Sequence, residues 1–350
     1  MISAGSLLAS FLLALLAYIA TVLAVNRIAH VRAQPLRFHA AKKLRPAGQQ
    51  ISVCSWNIGY AGLGQESDFL VDGGKHLLPP SRSCVLKNLA GITSTLSRFS
   101  ADVHLFQEMA RPGLLTYGVN VQARIEREFS NAGHSFRNDT VSRLIPVPFG
   151  IHNGTEIFSR YAVATVQIDP LPDEPGLFFG LLKKSYAVHS VRLQSGNGQV
   201  WAILNIHLAA FDAAAVARKK QLQQVLSLAM KEFKRGCHVI VGGDWNLKLT
   251  QTSFLHSTDP KHLFWLHEFP QDYLSQGWKL VFDPHVPTVR TNNQPYRPGV
   301  NYTAIIDGFL VSPNVEIDSV TTIDTGFQFT DHQPTVLRAS MSSNRSQPIK

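Results

Sequence analysis

The chain has 350 residues, 45% hydrophobic and 16% charged, which suits one large globular domain plus an extra segment. Its formal charge of +9 is uneven, because residues 1–50 hold Arg27, Arg32, Arg37, Lys42, Lys43 and Arg45 and no acid, leaving +3 for the other 300; this argues for an anionic membrane surface and gives little support to a DNA-gripping domain. Three cysteines, Cys54, Cys84 and Cys237, are too few for a disulfide framework and lack metal-ligand spacing, so they read as buried apolar thiols with at least one left free.

Residues 7–25 form a run without charge, rich in Leu and Ala, of about the length that crosses a bilayer's hydrocarbon core. Nothing basic precedes it, unlike a cleaved signal peptide, although Val31-Arg32-Ala33 offers a small-residue cleavage site. A retained single-pass anchor is the favoured reading over secretion and over a buried core helix. The cations that follow the helix favour a cytoplasmic catalytic domain. Residues 1–33 are thus expected as anchor and basic flank, 34–50 as a linker containing Pro35, Pro46 and Gly48, 51–340 as the catalytic domain and 341–350 as a tail.

From residue 51 the pattern changes. Residues 51–58 have β-rich alternation and predict a strand. An amphipathic helix is expected over 85–99, a buried strand over 103–107 and a helix over 121–129. Strands follow over 155–168, 186–193 and 200–208, then a long helix over 213–233 and a buried strand over 238–242. Short strands are expected at 305–311, 319–323 and 335–339. Strands outnumber helices, and two helices are long enough to cover sheets, which suggests a layered α/β sandwich.

Polar groups stand at the ends of these apolar strands: Asn57, Glu108, His207, Asp244 with Asn246, Asp307, and Asp331 with His332. Strand ends and the loops after them are where a rigid scaffold presents catalytic residues. A lone Asp there is usually a turn or cap, and a lone His a hydrogen-bonded structural residue. Six such places in one chain are harder to explain that way.

Ser55-Trp56-Asn57-Ile58, Phe106-Gln107-Glu108, Asn205-Ile206-His207-Leu208, Gly243-Asp244-Trp245-Asn246, Ile306-Asp307-Gly308-Phe309-Leu310-Val311-Ser312 and Thr330-Asp331-His332-Gln333-Pro334 occur in that order. In order and spacing they resemble the motifs of the endonuclease/exonuclease/phosphatase, or deoxyribonuclease-I-like, superfamily. Residues 147–160 and Asp72-Gly73-Gly74-Lys75 resemble a bacterial branch with an amino-terminal anchor. The resemblance implies a four-layer α/β/β/α sandwich and metal-assisted hydrolysis of a phosphate ester. It implies Glu108 and Asp331 as hard oxygen ligands of Mg²⁺, with Mn²⁺ as substitute, and Asn57 supporting that site. It makes His332 a general base or transition-state stabiliser whose tautomer Asp307 fixes. Asp244 orients water or assists the leaving group, and His207 and Asn246 donate to nonbridging oxygens.

The chain departs from the family pattern at three points. Gly308 stands where a Tyr is usual, Thr330 where a Ser is, and Ile206 where a small polar residue is common. Asn205–Phe211 is similar to inositol-polyphosphate 5-phosphatases, but their Pro-Ala-Trp-Cys-Asp-Arg motif is absent at Asp307.

Lys75 and Arg160 are candidates to contact substrate phosphate, against the plainer reading of solvated surface cations. Residues 177–184, an apolar run ending in two lysines, suit either a membrane-dipping loop or an edge hairpin. Asn138, Asn153 and Asn301 begin glycosylation sequons, which matter only in a secretory pathway. The leading expectation is a membrane-tethered phosphodiesterase or phosphomonoesterase acting on lipid head groups or soluble phosphoesters, with no obligate protein partner. The alternatives are a nuclease acting on nucleic acid and, in another class, a catalytically silent module binding a phosphate ligand.

Overall fold

Strand alternation generates two faces per sheet, and in this chain both are apolar for most of their length. A computed structural model of the protein describes residues 4–28, 37–41, 44–140, 144–145, 149–174, 184–210 and 214–342. The first sheet contains β1 (Gln50–Asn57), β2 (Val103–Ala110), β3 (Gly133–Asn138), β4 (Asn153–Ser159), β13 (Val315–Thr322) and β14 (Thr335–Met341), in the order β13-β14-β1-β2-β4-β3. The second contains β5 (Val163–Pro170), β6 (Ala187–Gln194), β7 (Val200–His207), β8 (His238–Asp244), β9 (Lys279–Val281) and β12 (Asp307–Val311), in the order β5-β6-β7-β8-β12-β9. Between β9 and β12, β10 (Val289–Arg290) and β11 (Thr303–Ala304) form a two-stranded ribbon.

Each large sheet has one parallel pair at its centre, β1 with β2 and β7 with β8. A parallel pair needs a crossover, and a helix supplies it in both cases. The first is α2 (Arg82–Ser97), capped by the Ser81 hydroxyl, which accepts from the Cys84 amide at 3.2 Å. Its counterpart is α4 (Val216–Lys234), while α3 (Val121–Glu128) follows β2.

Three apolar layers hold the sandwich. Val53, Leu105, Ile157, Ile203, Ile240, Phe309 and Leu337 fill the space between the sheets. Trp56, Ile92, Phe106 and Ile125 pack α2 and α3 on the first sheet, and Leu204, Leu222, Val225 and Val239 pack α4 on the second. The expected four-layer α/β/β/α architecture is the one observed.

Some expectations change in detail. The single strand expected over 155–168 is two strands, β4 and β5, in different sheets, with the chain crossing over at Arg160-Tyr161-Ala162. Strand β3 and the ribbon carried no periodic signal. Part of the expected linker lies on the body: His39 exchanges two backbone hydrogen bonds with His134, and Ala47 is buried. Cys54 and Cys237 are buried, Cys84 is half-buried, and all three are free thiols. Asn301 is fully buried, its amide donating to the carbonyls of Thr291 and Gln294, so no glycan can be attached in the folded protein. Residues 177–183, the proposed cleavage site and the tail beyond 342 lie outside the described residues.

Ahead of the body, α1 (Ala4–Ile28) presents exposed Leu7, Leu8, Phe11 and Leu16. Residues Gly5–Asn26 are long and apolar enough to cross a membrane, a property that a signal sequence shares. The helix is not buried, so the core-helix reading falls.

Candidate active site

The strand phase that packs the sheets together turns from apolar to polar at one end of the sandwich. On β1 the inward residues run Ile51, Val53, Ser55, Asn57; on β7 they run Trp201, Ile203, Asn205, His207. Gln107 ends the same phase on β2, and Asp244 ends it on β8. Because β12 runs antiparallel to β8, its first residue, Asp307, pairs with Asp244 at that same end. The carboxyl ends of two parallel strand pairs therefore face each other across the gap, a place where α/β proteins bind ligands.

Glu108 reaches this gap by a backbone irregularity. In a regular strand it would share the helix-facing side of Phe106. The pairing of β2 with β4 shifts between Phe106 and Met109, and Glu108 takes φ +53°, a left-handed conformation unfavourable for a residue with a Cβ. Such strain concentrates at functional sites. Asn246 is left-handed as well, at φ +49°.

Asp244 is the hub. Its Oδ2 accepts from Asn57 Nδ2 at 3.1 Å and lies 3.5 Å from His207 Nε2 and 3.7 Å from His332 Nε2, while its Oδ1 accepts the Asn246 amide at 2.9 Å. His332 Nδ1 meets Asp307 Oδ2 at 2.9 Å, and the Thr288 hydroxyl accepts the Asp307 amide at 3.0 Å. The indoles of Trp56 and Trp245 donate to the carbonyls of His332 and Gly308 and so tie the site to the layers behind it. Gly308 is required by that packing, since a Cβ would lie 2.8 Å from the Val281 carbonyl oxygen.

The cleft over this hub has a volume of about 210 Å³. Asn57, Glu108, His207, Asp244, Asn246, Asp331 and His332 line it, and Asp307 lies just behind, fully buried. Asn246 spends its side-chain amide on the Leu208 carbonyl, at 2.8 Å. The structure does not bring Lys75 or Arg160 to the cleft. Lys75 is exposed on the loop whose Phe69 and Asp72 line it. Arg160 follows Ser159, which pairs with Val103 at the opposite end of the sheet, and donates to Ser100 at 2.8 Å.

Four further residues belong to the site. Lys184 Nζ lies 2.9 Å from His207 Nδ1. Asn292 Nδ2 donates to Asp331 Oδ2 at 2.6 Å and to Asp72 Oδ2 at 3.0 Å. The buried Arg290 holds Asn292 Oδ1 at 2.7 Å and is otherwise engaged by the Leu63 and Gly64 carbonyls. Asp72 precedes the Gly73-Gly74-Lys75 run, and Lys184 ends the apolar run 177–184, which suits either a membrane-dipping loop or an edge hairpin. Arg290 and Asn292 stand in a stretch without periodicity.

The electrostatics follow from burial. Burial pushes the Glu108 carboxyl up to about 7, with Asp331 and Asp244 adding to the rise against Lys184 and His332. Burial and Asp331 raise Asp72 to about 6. Burial, with Lys184 and His332 beside it, lowers His207 well below the ordinary imidazole range. Burial alone would lower His332 too, but Asp307 and Asp244 raise it well above that range.

Several carboxylates crowded in one buried cleft are hard oxygen donors suited to a divalent cation. Asp244, Asp307 and His332 offer atoms within 4.8 Å of one another. Asp307 and His332 are spent on each other, however, so the remaining carboxylates in position to hold a cation are Glu108 and Asp331, which line the cleft with Asn57. The donor set fits Mg²⁺ or Mn²⁺ and not a thiolate-loving ion.

Two sheets sandwiched between helices, with carboxylates, amides and two histidines at the ends of their central strands, define a hydrolase of the deoxyribonuclease-I-like fold. The family model described as "Endonuclease/Exonuclease/phosphatase family" matches residues 54–332. The chain belongs to that family and is a metal-dependent phosphoric ester hydrolase.

Solved structures share the fold. An endonuclease/exonuclease/phosphatase from Beutenbergia cavernae DSM 12333 is 18% identical, with TM-score 0.54 over 84% of this chain and 72% of that one. Truncated Caenorhabditis elegans TDP2 is 15% identical, with TM-score 0.53 over 85% of this chain and 100% of that one. The human Nocturnin catalytic domain with bound sulfate is 16% identical, with TM-score 0.52 over 88% and 98%. No curated protein sequence matches the chain.

Proposed function

We propose that the protein is a membrane-tethered, Mg²⁺-dependent phosphoesterase, with Mn²⁺ as substitute, that hydrolyses a phosphodiester or phosphomonoester by attack of water. One observation carries this reading: the carboxylates Glu108 and Asp331 face the same cleft as the Asp244 hub and its two histidines.

Glu108 and Asp331 hold the cation, with Asn57 in support. The chemistry a bound divalent cation supplies there is polarisation of the phosphoryl oxygen and neutralisation of developing charge. Asp244, fixed from two sides by Asn57 and Asn246, orients the water or the leaving group. His332, kept as imidazolium by Asp307 and Asp244, donates from Nε2 to a phosphoryl oxygen. Neutral His207, with the Lys184 ammonium beside it, forms a second donor pair for nonbridging oxygens. Asn292 positions Asp331, and Arg290 positions Asn292.

Acids outnumber cations in the cleft. Asp72, Glu108, Glu174, Asp244 and Asp331 line it against Lys184, the His332 imidazolium and an Arg290 already engaged by carbonyls. A polynucleotide track needs repeated cations, so this balance favours a compact phosphoester over nucleic acid. The apolar α1 supports the tether, and the cations after it support a cytoplasmic catalytic domain.

The test is a screen of full-length protein in detergent, with Mg²⁺ and with Mn²⁺, against DNA, RNA, sphingomyelin, inositol phosphates and a generic phosphodiester. A small phosphoester should be cleaved, EDTA should abolish cleavage, and either metal should restore it. Undiminished turnover in rigorously metal-free protein would refute metal dependence, and cleavage of nucleic acid alone would make the protein a nuclease.

A further inference from the structure

Exposed apolar side chains are not spread evenly over the body. Apart from Leu86 on α2, every described one that is large lies in the loops, or at the helix start, at the cleft end of the sandwich. Leu70 and Leu77 stand on the loop whose Phe69 and Asp72 line the cleft. Leu144 and Phe149 stand between the lining residues Thr140 and Ile151. Phe264 adjoins the lining Trp265, and Leu255 is 85% exposed on the same lobe. The opposite end, where Arg160 lies, carries none among the described residues.

Single exposed apolar residues mean nothing, but their confinement to one rim does. The rim is made of side-chain tips on separate loops around an opening. A protein partner covers a contiguous, complementary patch. A bilayer surface, which has no fixed shape, accepts dispersed tips. Lys75, exposed between Leu70 and Leu77, provides a cation at the level of lipid head groups. Inside, Leu63, Phe69, Trp265, Val289 and Ile306 line the same cleft as the polar hub. A molecule that carries both a phosphate ester and carbon chains matches that mixed lining.

We infer that the cleft rim docks on the bilayer and that the substrate is a phospholipid whose head-group phosphate ester enters the cleft from the membrane surface. This rests on the phosphoesterase reading above. Tether and rim then act together: α1 keeps the protein at the membrane, and the rim turns the cleft toward it.

The experiment uses full-length protein reconstituted in phosphatidylcholine vesicles containing a minority of phosphatidylserine. Phe149→Trp, next to brominated acyl chains, reads docking without any need for turnover, since the five native tryptophans are buried. Its added fluorescence should be quenched; unquenched emission overturns docking. Separately, Leu144→Ser with Phe149→Ser should cut hydrolysis of vesicle phospholipid about tenfold and leave hydrolysis of a soluble short-chain ester of the same head group within about twofold. Equal loss on both substrates, or on neither, overturns the substrate assignment. A protein quenched on vesicles but inert toward every phosphoester would keep the docking surface and remove the phosphoesterase reading.

Discussion

His332 and Asp307 share a 2.9 Å contact with no room for water, and the other Asp307 oxygen is buried. The two should therefore act as one unit. Loss of either is expected to lower kcat/KM by roughly 10²–10⁴, and the double variant should be little worse than His332→Ala alone. A double-mutant cycle with Asp307→Asn, with folding checked by circular dichroism, decides it; fully multiplicative losses would show independent action. The raised His332 pKa adds a sign: the rate falls as pH rises through it, and Asp307→Asn should move that basic limb to lower pH.

Glu108 is the second residue with a signed consequence. Its pKa in the folded, metal-free protein is raised to about 7. Its contribution to stability is thus fully present below the ordinary carboxylate range and is lost as pH rises through about 7. Asp72 and Asp307, each raised to about 6, act in the same direction. The Tm of metal-free protein should fall between about pH 5 and 7.5. Glu108→Gln should flatten that fall, and Mg²⁺ should restore the wild-type Tm at the upper pH. A metal-free Tm that does not change over this window would mean the carboxylates are not in conflict.

At the scale of elements, the parallel pairing of β7 with β8 explains a glycine that the motif only displays. Gly243 has φ +153°, and a Cβ there would lie 2.0 Å from the Ile206 carbonyl oxygen, a backbone atom that cannot step aside. Gly243→Ala should cost about 1–3 kcal/mol of stability and displace Asp244, the next residue. Denaturant unfolding and kcat on the same preparation test both effects. Loss of activity without loss of stability would place the fault elsewhere. Legibility also divides by element. Strands packed on both faces, such as β2 and β8, stand out in the sequence as buried apolar runs, and β1 stands out by its β-rich alternation. Strand β3 mixes Gly, His and Arg at an edge, and the stretch from β8 to β12 is built from turns and strands of two or three residues, so neither has a period to detect. Arg290 and Asn292 were hidden for that reason.

For the whole molecule, α1 should hold the protein in the membrane fraction through a carbonate wash, and deletion of residues 1–33 should release it. A soluble full-length protein, or a mature end at Gln34, would replace the anchor with a cleaved leader.

The sequence by itself determined the class of fold, the order of the main strands, and which polar residues stand at their ends. Those are local properties, written in alternation and in residue type, and the family motifs report them together. Only the tertiary structure decided which of these residues meet. Lys75 and Arg160 were chosen for their charge, yet one is left on the rim and the other at the far end of the sheet, because strand direction decides which end a residue occupies. Lys184, Asp72 and Asn292 come from loops whose positions depend on packing against the rest of the chain. The charge state of each group was likewise not local: the same carboxyl or imidazole is raised or lowered by burial and by neighbours that lie far away in the sequence.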